Sequence, residues 1–172
     1  SGRMRLQEQV VIVTGGGSGT GAAIVAACVA EGARVVAIGR DAAKLEAACR
    51  AAGAGAHAEA GDVTDRDRVH AIVAATIERW GRIDVLVNNA GINIADRSLQ
   101  RLTPADWDLV MNINATGAFN TIHEVLPHMR RQKGGHVIAV SSMAGTAPSV
   151  LGGAVYSAAK HAMSVLTKMV DL

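Results

Sequence analysis

Short runs of branched apolar residues alternate along this chain with longer stretches whose apolar positions recur every three or four residues. The short runs cover 10–13, 34–38, 83–87 and 136–140, with a weak further strand at 57–60, where alanine alternates with His57 and Glu59. Consecutive apolar positions over so few residues mark strands that are covered on both faces. Between them, helical spacing predicts segments over 21–31, 41–52, about 67–80, from 103 onward, about 115–132 and from about 155 to the end. Their ends carry matching chemistry. Asp41 and Thr103 are side-chain acceptors for free N–H groups, Pro104 suits a first helical position, and Gly32, Gly53 and Gly81 stand just past last turns. Such alternation predicts a parallel sheet with helices on both sides. Right-handed crossovers then lead to a doubly wound, Rossmann-like α/β fold. No internal repeat, linker or low-complexity tract breaks residues 1–172, which are expected to form a single domain.

Composition narrows the function classes. Apolar residues make up 49% of the 172, enough for a sizeable core. A net charge of +2 is too small to point to nucleic acid or an anionic membrane as partner. No apolar run is long enough to span a bilayer, and Ser1-Gly2-Arg3-Met4 has no apolar signal region. Those first residues read as a vector-derived extension before a natural Met4. Cys28 and Cys49 lack metal-ligand spacing and are expected to be small buried apolar groups in a reducing compartment, so a cytoplasmic location is expected. His123, His128 and His161 have no carboxylate or cysteine company, and no metal site is expected.

The candidate chemistry begins at Thr14-Gly15-Gly16-Gly17-Ser18-Gly19-Thr20-Gly21, set between the first strand and the first helix. Glycines there allow a tight turn and close backbone approach, while the helix N-terminus aims free N–H groups at an anion. Gly15, Gly17, Ser18, Gly19, Thr20 and Gly21 are therefore candidates to hold the pyrophosphate of a dinucleotide. A ligand-free glycine turn is the plain alternative, disfavoured by the strand–turn–helix context. After the second strand comes Gly39-Arg40, where a carboxylate would bind a ribose 2′-hydroxyl and an Arg a 2′-phosphate. Arg40 favours NADP and leaves NAD open, while Asp41 is assigned to capping. A solvated surface role is the alternative for Arg40. The other polar clusters, Asp62, Asn88-Asn89 and Ser141-Ser142, also follow strands, where such sheets bind ligands.

Tyr156, the sole tyrosine, and Lys160 are spaced to share one helix face. A lysine ammonium beside a phenol stabilises the phenolate, which brings the tyrosine toward acid–base work near neutrality. Ser142, at the end of the fifth strand, is suited to hydrogen-bond a substrate oxygen. In isolation a Tyr/Lys pair at this spacing is a common surface arrangement. The strand-end serines and the glycine-rich loop before it favour the chemical reading.

These motifs, in this order, resemble the short-chain dehydrogenase/reductase family over nearly the whole chain. Thr14-Gly15-x-x-x-Gly19-x-Gly21 is similar to its cofactor motif. Asp62-Val63 is similar to its adenine-contact pair, and Asn88-Asn89-Ala90-Gly91 to the motif closing its fourth strand. Asn114, Ser142, Tyr156 and Lys160 fall on its four catalytic positions. The resemblance implies an NADP(H)-dependent oxidoreductase, with NAD(H) as alternative, that moves hydride between nicotinamide and a small-molecule carbonyl or alcohol. Tyr156 would exchange the proton, Lys160 would hold the nicotinamide ribose, Ser142 would orient the carbonyl, and Asn114 would hold a water. Asn89, Ala90 and Gly91 join the cofactor contacts. Ser142 is preferred to Ser141 because Ser142-Met143-Ala144-Gly145 fits the family's Ser-x-x-Gly spacing, although the stretch from Ser142 to Tyr156 is one residue longer than expected. Asn112 is assigned to the helix surface. Family members pair through the helices around 115–129 and 156–169, implying a homodimer or homotetramer. They also continue past a point equivalent to Leu172 with further strands and a substrate-binding segment, so this chain is expected to be only part of a longer one. A non-catalytic nucleotide-binding or assembly protein with the same fold stands as the alternative function.

Overall fold

The computed structural model describes residues 4–172. The reading of Ser1–Arg3 therefore lies outside the described residues. Five strands form one parallel sheet: β1 Val10–Thr14, β2 Arg34–Gly39, β3 Ala56–Ala60, β4 Val85–Asn88 and β5 His136–Ala139. Their order across the sheet is β3-β2-β1-β4-β5. The chain winds outward from β1 in one direction and then returns to β4, so the sequence switches direction between β1 and β4. That switch point opens a crevice at the strand C-termini. The helices are α1 Gly19–Ala30, α2 Ala42–Ala52, α3 Arg66–Trp80, α4 Pro104–Met111, α5 Gly117–Gln132 and α6 Ala154–Lys168.

Two apolar layers hold the sheet. On one side Ile12, Val36, Leu86 and Ile122 pack with Val125 and Met129 of α5. On the other Val11, Val13, Val35 and Ala37 pack with Val25 of α1 and Leu45 and Cys49 of α2. All five residues of β1 are buried. Each fully buried Val or Ile contributes about 1.5–3 kcal/mol. Cys49 is buried, whereas Cys28 is only half-buried, because it packs at the rim of the second layer.

Several boundaries differ from those the sequence pattern suggests, each for a local reason. β4 starts at Val85 instead of residue 83, because Gln132 takes up the backbone of Ile83. Its side chain accepts from Ile83 N at 3.0 Å and donates to Ile83 O at 2.8 Å. The first helix starts at Gly19, two residues earlier than the alanine-rich pattern implies, since glycine carries no periodicity signal. The two helical segments from 103 to 132 are one continuous rod. A π-helical turn, Asn112–Thr116, joins α4 to α5. Asp41, Asp65 and Thr103 cap α2, α3 and α4 through bonds to the N–H of Lys44, Arg68 and Asp106.

The two strand-end loops beside the switch point are tied by one hydroxyl. Thr14 is 1% exposed, and its Oγ1 accepts from Asn89 N at 3.0 Å and Ala90 N at 2.9 Å. Thr14→Val keeps the shape but leaves both donors without an acceptor. It is expected to cost about 2–3 kcal/mol in urea unfolding with an unchanged m-value; a loss below about 0.5 kcal/mol would show that the tie is dispensable.

Candidate active site

The loops after β1, β2, β3 and β4 enclose a cleft of about 720 Å³ at the C-terminal edge of the sheet. Ten of the sequence-predicted cofactor residues line it: Gly15, Gly17, Ser18, Thr20, Arg40, Asp62, Val63, Asn89, Ala90 and Gly91. Gly19 and Gly21 do not: Gly19 is exposed with open space around it, and Gly21 shapes the wall from behind. A Cβ on Gly21 would stand 1.8 Å from Gly15 O and 2.6 Å from Asn89 Nδ2. Only a bare Cα fits there, which lets α1 begin directly beneath the turn. Gly15 and Gly19 adopt φ of +65° and +51°, the left-handed backbone that favours glycine.

The cleft suits an anionic ligand at this end. Ser18 stands at the N-cap of α1, yet its side chain makes no capping bond, and no acidic side chain lies in the first turn. The helix start thus keeps its positive end open toward the cleft. Arg40 forms no hydrogen bond or ion pair among the described residues; Asp41 also lines the cleft, caps α2 and stands 4.0 Å from Lys44 Nζ. Lys44 also lines this cleft, a second cation that the sequence reading missed. Its place in the first turn of the capped helix was the available signal, because an Asp cap at 41 fixes the direction of that turn.

The catalytic candidates lie outside the cleft, beyond Gly91. Lys160 and Tyr156 share one face of α6, with Lys160 Nζ 5.6 Å from the Tyr156 ring centroid. Lys160 is 4% exposed and donates to Val140 O at 3.2 Å. Burial pulls its ammonium below the ordinary lysine range. Asn114, wholly buried in the π-helical turn, donates through Nδ2 to Ile92 O and Val110 O, both at 2.9 Å. Its Oδ1 has no partner. An unmatched buried oxygen and an ammonium with a single acceptor leave room for a polar guest, a water or a ribose hydroxyl.

Ser141 and Ser142 point to different neighbours. Ser141 Oγ pairs with Ser164 Oγ on α6 at 2.9 Å. Ser142 starts the 3-10 turn Met143–Gly145, where its Oγ accepts from Ala144 N at 3.2 Å and its own proton remains to donate. Asn112 is exposed on the helix surface. None of Asn114, Ser142, Tyr156 or Lys160 lines the 720 Å³ cleft. Gly91 connects the two regions. It borders the cleft, and a Cβ on it would lie 2.4 Å from Asn114 Oδ1 and 3.2 Å from Lys160 Nζ.

Among the described residues no cluster of three or more His, Cys, Asp or Glu side chains could hold a metal. His123 stacks on Phe119, His128 meets Arg131, and His161 meets Ser157 O. Among the described residues no helix is long and apolar enough to cross a membrane.

Fold and cleft together define a doubly wound, dinucleotide-type α/β protein. A family model described as short chain dehydrogenase matches residues 9–172, and the chain belongs to that family. It is 39% identical over 146 residues to the 3-oxoacyl-[acyl-carrier-protein] reductase of Thermotoga maritima, covering 83% of this chain and 58% of that protein. It is also 39% identical over 171 residues to the 3beta-hydroxysteroid dehydrogenase of Mediterraneibacter gnavus, covering 96% and 60%. Among solved structures it superposes on a levodione reductase with TM-score 0.89 at 38% identity, covering 95% of this chain and 65% of that one. A metagenomic short-chain oxidoreductase in complex with NADP gives 0.87 at 38% identity, covering 95% and 75%. The chain thus spans 58–60% of the length of those two sequence relatives.

Lys160 supplies a stability test. Because burial lowers its pKa, the folded protein holds this proton less tightly than the unfolded chain does. The resulting destabilisation is full below the lowered value and fades as pH rises through the ordinary lysine range. Lys160→Met is therefore expected to melt higher than wild type at pH 7, with the gap narrowing toward pH ~10.5. A variant that melts lower at pH 7 would mean that the bond to Val140 O outweighs desolvation.

Proposed function

We propose that this protein is an NADP(H)-dependent oxidoreductase that interconverts a small-molecule carbonyl and alcohol, with the chain acting as one dinucleotide-binding and catalytic domain. The observation that carries the reading is Gly91: a single bare Cα separates the dinucleotide-shaped cleft from Asn114 Oδ1 and Lys160 Nζ. Bound there, the nicotinamide supplies or accepts the hydride. The chain's own residues would do the rest. The turn 15–21 and the start of α1 would bind the pyrophosphate. Arg40 and Lys44 would bind a 2′-phosphate, and Asp62 and Val63 the adenine. Lys160 would donate to ribose hydroxyls, a role favoured by its near-complete burial and single acceptor. Ser142 would donate to the substrate oxygen, and Tyr156 would pass that oxygen its proton or take it back. Asn114 would hold a water on its free Oδ1 and feed protons toward Lys160.

Substrate choice would rest on 92–100 and 144–154, which flank Tyr156. Exposed Trp107, Leu109 and Phe119 on the α4–α5 rod and Val165 and Met169 at α6 support pairing of copies through these helices. A cytoplasmic location fits the reduced cysteines expected of such an enzyme.

Two measurements test this. With NADPH and a panel of levodione, a 3-oxoacyl thioester and a 3-ketosteroid, Tyr156→Phe should lower turnover about 10²–10⁴-fold while leaving cofactor affinity within about twofold. Undiminished turnover would remove Tyr156 from the chemistry. Arg40→Ala and Lys44→Ala should each weaken NADPH about tenfold or more and leave NADH nearly unchanged. Equal effects on both cofactors would assign these residues no part in reading a 2′-phosphate.

A further inference from the structure

The rod that carries Asn114 also reaches the far end of the cleft. Asn120, in α5, is 3% exposed, and its Nδ2 donates to Val63 O at 2.9 Å. Its Oδ1 is buried without a partner. A leucine would fill the same space and strand no oxygen, so an amide here is accounted for by the one bond that it makes. Gly117, one turn earlier, meets the same residue: a Cβ on it would stand 2.4 Å from Val63 Cγ2. Val63 and Asp62 line the cleft, while Asn120 and Gly117 do not. Within the loop, Asp62 Oδ1 accepts from Thr64 N at 2.9 Å and Thr64 Oγ1 at 2.8 Å, which sets the loop's own shape. Just before it, Gly61 N donates to Gly39 O at 2.9 Å and ties the loop to the end of β2; on the other side Val63 is held by α5 alone among the hydrogen bonds of the described residues.

We propose that Asn120 is a positioning residue for the adenosine end of the cleft. Held at its carbonyl by the Asn120 amide and seated against the bare Cα of Gly117, Val63 stands at a fixed depth and carries Asp62 with it. Asn120 touches no ligand and acts only through Val63. The inference rests on the dinucleotide reading of the cleft, and it assigns a role to a buried amide that the resemblance leaves without one.

The test compares wild type, Asn120→Leu, Gly117→Ala and Gly117→Ala/Val63→Ala. Calorimetric titration with 2′,5′-ADP reports the adenosine end, and inorganic pyrophosphate reports the glycine turn. Asn120→Leu is expected to weaken 2′,5′-ADP about tenfold and to change pyrophosphate affinity by less than about twofold. Gly117→Ala should weaken 2′,5′-ADP in the same way, and Val63→Ala, which removes the methyl that the new Cβ strikes, should restore part of the loss. That rescue is a readout that general damage to the fold would not give, and it carries the test if Asn120→Leu fails to fold. Parallel weakening of both probes without rescue, or unchanged 2′,5′-ADP affinity in both single variants, would overturn the proposal while leaving the dinucleotide reading in place. A wild type that binds neither probe would overturn both.

Discussion

No side chain fits between the first glycine turn and the helix that follows it. The carbonyl of Gly15 lies so near the Cα of Gly21 that an added Cβ would sit 1.8 Å from it, and the amide of Asn89 closes the same space from the β4 side. Asn89 Nδ2 donates to Gly15 O at 3.2 Å, and Thr14 Oγ1 collects the next two backbone N–H groups of that loop. This single close approach brings β1, α1 and the end of β4 to one point. The cleft, the open start of α1 and the position of Gly91 all follow from it. A parallel sheet with a switch of direction between its central strands supplies the crevice; the missing side chains determine what fits inside.

Beyond Gly91 lies a corner that costs stability. Lys160 is buried with one acceptor, and Asn114 with an oxygen unmatched. Neither arrangement favours folding, and each is what a site awaiting polar guests would contain. The π-helical turn that carries Asn114 interrupts a rod otherwise regular from Pro104 to Gln132. Such turns put one extra residue into the helical repeat and recur at functional sites. Here the turn's Asn114 is anchored to Ile92, in the loop that leaves Gly91. The rod therefore meets the corner around Lys160 at one place and, through Asn120 and Gly117, the loop after β3 at another.

Much of this was legible in the residues. Branched apolar runs gave every strand but β3, whose Ala-His-Ala-Glu-Ala carries none, and caps such as Asp41, Thr103 and Gly81 gave the helix ends, because each of these signals is local. The glycine turn was legible for the same reason. What escaped depended on distant partners. Ile83 looks like strand, and only the Gln132 side chain removes it from the ladder. The π-helical turn leaves no mark in a 3.6-residue pattern. Lys44 looked like an ordinary surface lysine until α2 was seen to rise from the rim of the cleft. Asn120 is a polar residue off the face on which Ile122 and Val125 pack into the core, and spacing alone gives no reason for it to be buried. Asn114 was singled out through a family motif; its own spacing says nothing of a buried, half-satisfied amide. The choice between Ser141 and Ser142, a matter of motif spacing in the sequence, gains a physical side from the bond of Ser141 to Ser164.

The central claim is that a phosphorylated dinucleotide seated in the cleft beside Arg40 extends past Gly91 to Lys160, which lies beyond the cleft. A crystal structure of the chain with NADP⁺ tests it most directly. The account predicts the pyrophosphate against the backbone of 17–20, the 2′-phosphate within hydrogen-bond reach of Arg40, and the nicotinamide ribose on Lys160 with Tyr156 beside the ring. A dinucleotide bound elsewhere, or one whose nicotinamide half lies away from Lys160, would contradict it.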